Sequence, residues 1–484
     1  MTKSKVASNT LFNTIKSIFG VVYPIVTFPY ISRVLMTDNF GKINFGNSIV
    51  CYISLIASLG VTVYAIRECS KVKEDQERLS NVASQILSIN VLTTFVAYFV
   101  LVILLIFAKP LENYRLLICI QSTNILFVTL GADWLNTAME DFKYIAVRTV
   151  FFQILSLILM FIFINKPEDY LIYAAISVVA SSGANIVNVV YRRKFCKLRF
   201  TWKMNLKRHL PKIFLLFSFI FSMSIYVNSD VTILGLVRGD REVGLYSTSV
   251  KLYQIVNTTI SSIAWVVMSK LSFYFAKKDY EEINKLLKYS LNFIIVFGFP
   301  CICGLEIIAK EIIVMVAGDA YADASLSLRI LGFALLCSFI SGWLCNMVRI
   351  PSGQDFLSLK ISLFCALVNV VLNLILIPVW GLNAAAFTTA LTELFGLIWG
   401  FIVIDKNIKI TGLKEMVIAP LIGGIGIICI GYIVKNLIDS SFAISLVTIF
   451  FCFMWYSFVM IVSKNEIFLE FTKILANKFV NIKK

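Results

Sequence analysis

The chain has 484 residues, of which 59% are hydrophobic and only 15% charged, with a mean hydropathy of +0.85. A water-soluble domain is closer to half apolar and a quarter charged, so this composition excludes an ordinary soluble enzyme and describes an all-α, polytopic membrane protein. The formal net charge of +16 fits Lys and Arg gathered in cytoplasmic loops better than a nucleic-acid footprint, and no nucleic-acid partner is expected.

Residues 1–9 are polar and the apolar run that follows is long enough to cross a bilayer, so the expectation is a retained first span and no cleaved signal peptide. Fourteen windows have the length of spanning helices: 10–33, 44–66, 84–108, 115–136, 146–165, 170–191, 213–236, 244–268, 287–308, 327–348, 357–378, 383–404, 415–435 and 442–463. A membrane β-barrel would show shorter, alternating segments. With both termini in the cytoplasm, most of the 44 Lys and Arg fall on the cytoplasmic side. The richest segment, 192–212, lies between spans six and seven and reads as a solvated basic linker that attracts anionic headgroups.

The domain plan is therefore an N-terminal lobe over 1–191, the linker 192–212, a C-terminal lobe over 213–404, and spans 13 and 14 with a basic cytoplasmic tail over 405–484. A weak internal repeat supports two pseudo-repeated lobes around a central cavity. Leu35-Met36-Thr37-Asp38-Asn39-Phe40-Gly41 after span one aligns with Leu236-Val237-Arg238-Gly239-Asp240-Arg241-Glu242-Val243-Gly244 after span seven, matching Asp38 to Asp240 and Gly41 to Gly244.

Charge within a span costs at least ~2.5 kcal/mol at the bilayer centre and normally lines a cavity or has a partner. Lys16, Asp133, Arg148, Asp230, Lys251, Glu306 and Glu393 are the residues concerned. Lys16 and Arg148 lie near span ends and are expected to snorkel, whereas Asp230 and Glu393 are too short to do so. Asp230 and Lys251 sit at similar depth on either side of one outer loop and could pair. Asn44 with Asn47, Asn185 with Asn188, and Asn369 with Asn373 share helix faces by their spacing, as packing glue between helices or as cavity lining. Asn124 and Asn257 join them. Pro24, Pro29 and Pro300 are expected to bend their helices.

The eleven cysteines lie mostly inside apolar runs, and Cys301 and Cys303 are one residue apart, which is no metal spacing. The one histidine, His209, falls in the linker. No phosphate-binding loop, serine elbow or nucleotide fingerprint is present. No catalytic set, metal or resident cofactor is expected.

Several stretches taken in order resemble the polysaccharide flippases of the multidrug/oligosaccharidyl-lipid/polysaccharide exporter superfamily. They are Leu35 to Gly41 with Gly60-Val61-Thr62-Val63-Tyr64-Ala65-Ile66-Arg67-Glu68; Trp134, Glu140, Phe142, Lys143, Tyr144, Ile145 and Arg148; Tyr226-Val227-Asn228-Ser229-Asp230 with Glu242-Val243-Gly244-Leu245-Tyr246-Ser247 and Lys251; Ile350-Pro351-Ser352-Gly353; and Gly381-Leu382-Asn383-Ala384-Ala385-Ala386 with Glu393. Where the family often has glycine after Asn383, this chain has Ala384.

The resemblance implies a non-enzymatic flippase of the bacterial cytoplasmic membrane. It would carry oligosaccharide repeat units on undecaprenyl pyrophosphate from the inner to the outer leaflet, with a polysaccharide polymerase and glycosyltransferases as candidate partners. Lys16, Arg67, Arg148 and Lys251 are then the pyrophosphate candidates. Asn44, Asn47, Asn124, Trp134, Asn185, Asn188, Asn257, Asn369 and Asn373 are the sugar and cavity candidates. Asp133, Asp230 and Glu393 are candidates for proton or sodium coupling or for charge pairing. The competing readings are a lipid II flippase, a cation-coupled drug exporter and a membrane-embedded sugar polymerase. A drug-cation cavity would be acidic, and a polymerase would carry large outer loops.

Overall fold

The computed structural model describes residues 3–405, 407–408 and 412–473. The end of the basic tail, with Lys478, Lys483 and Lys484, lies outside the described residues. In chain order the helices are α1 Lys3–Ser58, α2 Val61–Lys71, α3 Gln76–Phe107, α4 Arg115–Gly131, α5 Trp134–Ala138, α6 Phe142–Phe163, α7 Tyr170–Tyr191, α8 Leu206–Val237, α9 Asp240–Ser261, α10 Ile263–Lys277, α11 Tyr280–Ala317, α12 Ser325–Trp343, α13 Asp355–Trp380, α14 Leu382–Ile402, α15 Leu413–Leu437 and α16 Ser441–Val462. No strand occurs among the described residues. In hydrocarbon every backbone polar group must be satisfied inside its own segment, and helices do this without an edge. Aspartates open several helices. Asp75 accepts from the backbone N–H groups of Glu77 and Arg78 at α3, and Asp141 accepts from Tyr144 N–H at α6.

Among the described residues eleven helices are long and apolar enough to cross a membrane, or twelve if the bent α8 counts as one span, against the fourteen expected. Two features account for the difference. One long helical stretch, Leu11–Lys71, holds two of the expected windows, and a break at Met36 (φ 60°, ψ 176°) and a left-handed turn at Leu59 and Gly60 divide it. The window 244–268 instead spreads over α9 and α10 and carries Lys251, Gln254, Asn257, Thr258 and Thr259, so it is less apolar than the other spans. Pro24, Pro29 and Pro300 lie inside helical runs, while the non-helical dihedrals sit at Met36 and at Ile308.

The chain divides into two compact units, 1–244 and 245–484. The boundary lies beyond the basic linker because α8 packs on α1 and so belongs to the first unit. Thr232 donates to Ser48 Oγ at 2.9 Å, and Gly235 makes room for the Phe45 ring. In the first unit α1 also packs against α3, α4 and α6, and α4 against α7. In the second, α14 packs on α12 and α13, while α11, α15 and α16 pack on one another.

The linker is not a solvated tether. Cys196 and Met204 are buried in the core formed by α2, α3 and α5. The N–H groups of Arg199 and Thr201 donate to Ser84 and Ser88 of α3, at 3.1 and 2.8 Å. His209, fully buried, is held between Tyr64 Oη at 2.7 Å and Gln85 Oε1 at 2.9 Å.

Within the first unit the two repeated turn segments meet. A Cβ added at Gly41 would collide with the Asp240 carbonyl, and one added at Gly244 would collide with the Thr37 carbonyl. The glycines that align in sequence thus make a reciprocal backbone contact, which only glycine permits at this separation. Tyr114 closes the same corner by donating to Asp240 Oδ1 at 2.5 Å.

Candidate functional site: the polar residues of the two units

In the first unit one end of α4 to α7 gathers five of the expected site residues. The chain leaves α4 through a left-handed Ala132 (φ 48°), which turns Asp133 toward α6. There Asp133 meets the Arg148 guanidinium in a close ion pair. Arg148, only 6% exposed, also donates to the Ala184 carbonyl at 3.2 Å and lies over the Tyr144 ring. Asn136 donates to Asp133 Oδ1 at 3.1 Å and stands 2.6 Å from Asn188 Oδ1. Asn188 in turn donates to the Gly131 carbonyl at 2.6 Å. Asn185 fills the space beside Gly131, where a Cβ would clash with its side chain. Tyr144 stacks on Tyr191 at 3.4 Å, and Tyr191 donates to Asp141 at 2.6 Å.

This network orders side chains and leaves Arg148 little freedom. The residue does not snorkel, and its fork is already engaged by a carboxylate and a carbonyl. A substrate phosphate would compete with Asp133 for this guanidinium, of which Nε alone has no hydrogen-bond partner among the described residues. Trp134 is 4% exposed in the core with α2 and α3, so its faces are packed by protein. The fully buried Asn369 and Asn373 bond one another at 3.1 Å, and Thr388 of α14 donates to Asn373 Oδ1 at 2.5 Å. Asn188 and the Asn369–Asn373 pair are therefore bonded into helix contacts, as interhelical amides in membranes commonly are, and Asn185 packs beside Gly131.

The remaining candidates lie apart from these networks. Lys16 is half-buried and Arg67 exposed, and neither has an ion-pair partner among the described residues. Asn47 is exposed, Asn124 half-buried, and Asn44 donates within its own helix, to the Phe40 carbonyl 2.7 Å away. All five belong to the first unit, as does Asp230, which is 5% exposed. In the second unit Lys251 is half-buried on α9, and Asn257 lies within 3.3 Å of Ser338 Oγ. Glu393 accepts from Ser341 at 2.9 Å. Among the described residues no group of three or more His, Cys, Asp or Glu could hold a metal.

Sequence reading overlooked two features. The His209–Tyr64–Gln85 contact was hidden by its basic surroundings. Arg349 ends a π-helical turn, Leu344–Arg349, 5% exposed, with Nε and one terminal nitrogen lacking a hydrogen-bond partner. The only signal in the sequence is a lone arginine in an apolar run before Pro351.

Comparisons place this arrangement among known proteins. The fold is that of a lipid II flippase, MurJ, in an inward closed conformation (TM-score 0.76, 16% identity, 94% of this chain and 99% of that one). It is also similar to that of an inward-facing multidrug resistance MATE family transporter of the MOP superfamily (TM-score 0.63, 14% identity, 81% of this chain and 96% of that one). The capsular polysaccharide biosynthesis protein CapF of Staphylococcus aureus is 26% identical over 377 residues, 76% of this chain and 91% of that protein. A Shigella dysenteriae protein named for O-antigen transport is 23% identical over 386 residues, 78% of this chain and 95% of that protein. A model of polysaccharide biosynthesis proteins matches residues 6–272, more than half of the chain, and the chain belongs to that family.

Proposed function

We propose that this protein is a flippase that moves lipid-linked oligosaccharide repeat units from the inner to the outer leaflet of a bacterial cytoplasmic membrane for surface polysaccharide synthesis. The family match over residues 6–272 carries the reading, and the relatives named for O-antigen transport and capsule synthesis point the same way. The carrier is undecaprenyl pyrophosphate, both termini face the cytoplasm, and access alternates between the two sides. Lys16, Arg67 and Lys251 are the cations for the pyrophosphate, and Arg148 ties α6 to α7 within the first unit. Amides such as Asn44, Asn47, Asn124 and Asn257 meet the sugars. Asp230 and Glu393 are the carboxylates through which a proton or sodium gradient would act. Glycosyltransferases supply the substrate and a polymerase consumes it, so the chain itself makes no bond. A lipid II flippase shares the fold, but likeness at 16% identity speaks for the fold alone.

The test is leaflet-specific detection of the lipid-linked unit in a deletion strain. The unit should accumulate on the cytoplasmic leaflet while surface polysaccharide falls. A polymerase would leave single units on the outer surface, and a drug exporter would alter dye resistance only. Finding the unit at normal levels on the outer leaflet would sink the proposal.

A further inference from the structure

Glu306 of α11 and Arg329 of α12 form an ion pair at the surface of the second unit, Nε to Oε2 at 3.3 Å. Their side chains are 35% and 56% exposed. Ionisable groups in spanning helices normally turn inward, so a half-exposed pair on an apolar surface calls for an explanation. Arg329 is one turn into α12, and Glu306 lies just before the break in α11 at Ile308. The pair sits at the rim of an open cavity of about 440 Å³ between α11, α12 and α14. Apart from the two charges its lining is apolar, with Leu326, Ile330, Phe333, Phe387 and Leu391 prominent. Leu326, Phe333 and Phe387 are themselves 50%, 49% and 40% exposed. Gly332 makes room for the carboxylate, since a Cβ there would stand only 3.1 Å from Glu306 Oε1. Among the described residues the guanidinium engages Glu306 through Nε alone, and with the side chain 56% exposed its terminal nitrogens are left for a second acceptor.

We propose that this cavity is a site for a zwitterionic aminophospholipid, of which phosphatidylethanolamine is the type. The phosphate would take the terminal nitrogens of Arg329, the primary ammonium would donate to Glu306, and the upper acyl chains would lie along Phe333, Phe387 and Leu391. The site is distinct from the polar residues assigned above to the transported substrate. Its charge pattern selects the ligand. One cation beside one anion matches a headgroup carrying both charges. An anionic headgroup with no ammonium meets the Glu306 carboxylate, and a trimethylated ammonium has no N–H to donate. Apolar cavities rimmed by a few placed polar groups are the usual form of small-ligand sites.

The test is native mass spectrometry of the purified full-length protein titrated with phosphatidylethanolamine, phosphatidylcholine or phosphatidylglycerol. Phosphatidylethanolamine should bind roughly tenfold more tightly than either of the others, the worth of a charge-assisted hydrogen bond. Glu306→Gln and Arg329→Gln should each erase that preference. Leu391→Trp, which fills the cavity and leaves the ion pair intact, should lower retention of phosphatidylethanolamine as well, and serves if a charge variant does not fold. Equal binding of phosphatidylglycerol by the unaltered protein, or an undiminished preference in the variants, would overturn the assignment.

Discussion

A buried arginine with a carboxylate partner and a carbonyl behaves differently from an arginine awaiting a ligand, and stability separates the two. Removing Arg148 takes the partner from Asp133, whose side chain is 37% exposed and keeps some hydration, so Arg148→Ala is expected to cost about 1–3 kcal/mol, less than a fully buried pair would. That loss reads as a clear fall in the unfolding temperature of the detergent-solubilised protein. Arg148→Lys should recover part of it, since charge survives without the planar fork. Asp133→Asn combined with Arg148→Gln should be milder than the sum of the single changes. Arg67→Ala is expected to do the reverse, lowering glycan export with little change in melting, because Arg67 is exposed and has no ion-pair partner among the described residues. Strict additivity at 133 and 148, or a large melting shift at 67, would reverse the two assignments. The sequence revealed both charges of the buried pair but not their partnership. Counting residues from a span end gives depth alone, and the left-handed turn at Ala132 that aims Asp133 at α6 leaves no mark in a hydropathy profile. His209 shows the same limit, because a histidine among nine Lys and Arg reads as solvated until its contacts with Tyr64 and Gln85 are seen.

At the scale of elements, the breaks and crossings follow packing more than residue propensity. Proline removes one backbone bond, yet Pro24, Pro29 and Pro300 sit within continuous helical runs, and the chain departs from helical geometry at Met36 and Ile308 instead. The dihedrals at Met36 lie in a region that only glycine adopts freely, which costs other residues of order 1–3 kcal/mol. Met36→Gly should therefore raise the unfolding temperature, and a drop would show that the methionine side chain contributes more than its backbone costs. The repeat was legible from matched letters, Gly41 with Gly244 and Asp38 with Asp240. That the two copies touch was not, because an alignment orders residues without folding them together. The contact makes a sharp prediction. Gly41→Ala and Gly244→Ala each drive a methyl group into a backbone carbonyl, which cannot move aside as a flexible side chain can. Each should cost at least about 1–3 kcal/mol, the usual range for overpacking. Gly20→Ala, where an added Cβ meets nothing within 4 Å, should be neutral or slightly stabilising. Equal melting of all three variants would remove the reciprocal contact from any structural role.

For the whole molecule, the long apolar runs state the all-helical membrane fold outright, while the span count depends on what separates one helix from the next. Leu11–Lys71 runs as one long helical stretch, and α9 is too polar to be recognised as a span by composition. The orientation of the whole follows from the distribution of Lys and Arg and calls for a direct measurement. The natural cysteines nearest the basic segment make poor reporters, since Cys69 and Cys196 are 0% and 1% exposed and an impermeant reagent will not reach them. Trp202 is 80% exposed in that segment, and the Glu112 side chain is 65% exposed in the turn between α3 and α4. In a background with the exposed Cys119 and Cys429 changed to serine, Trp202→Cys should label only after the membrane is permeabilised. Glu112→Cys should label in intact cells. The two positions report opposite faces under any arrangement in which α3 crosses the membrane once, so they also check each other. Labelling of Trp202→Cys in intact cells would invert the molecule, placing the basic segment outside and the Tyr114–Asp240 corner in the cytoplasm. Lys16 and Arg67 would then lie toward the wrong leaflet to collect a newly made pyrophosphate-linked substrate, and the direction of transport would have to be argued again from the other side.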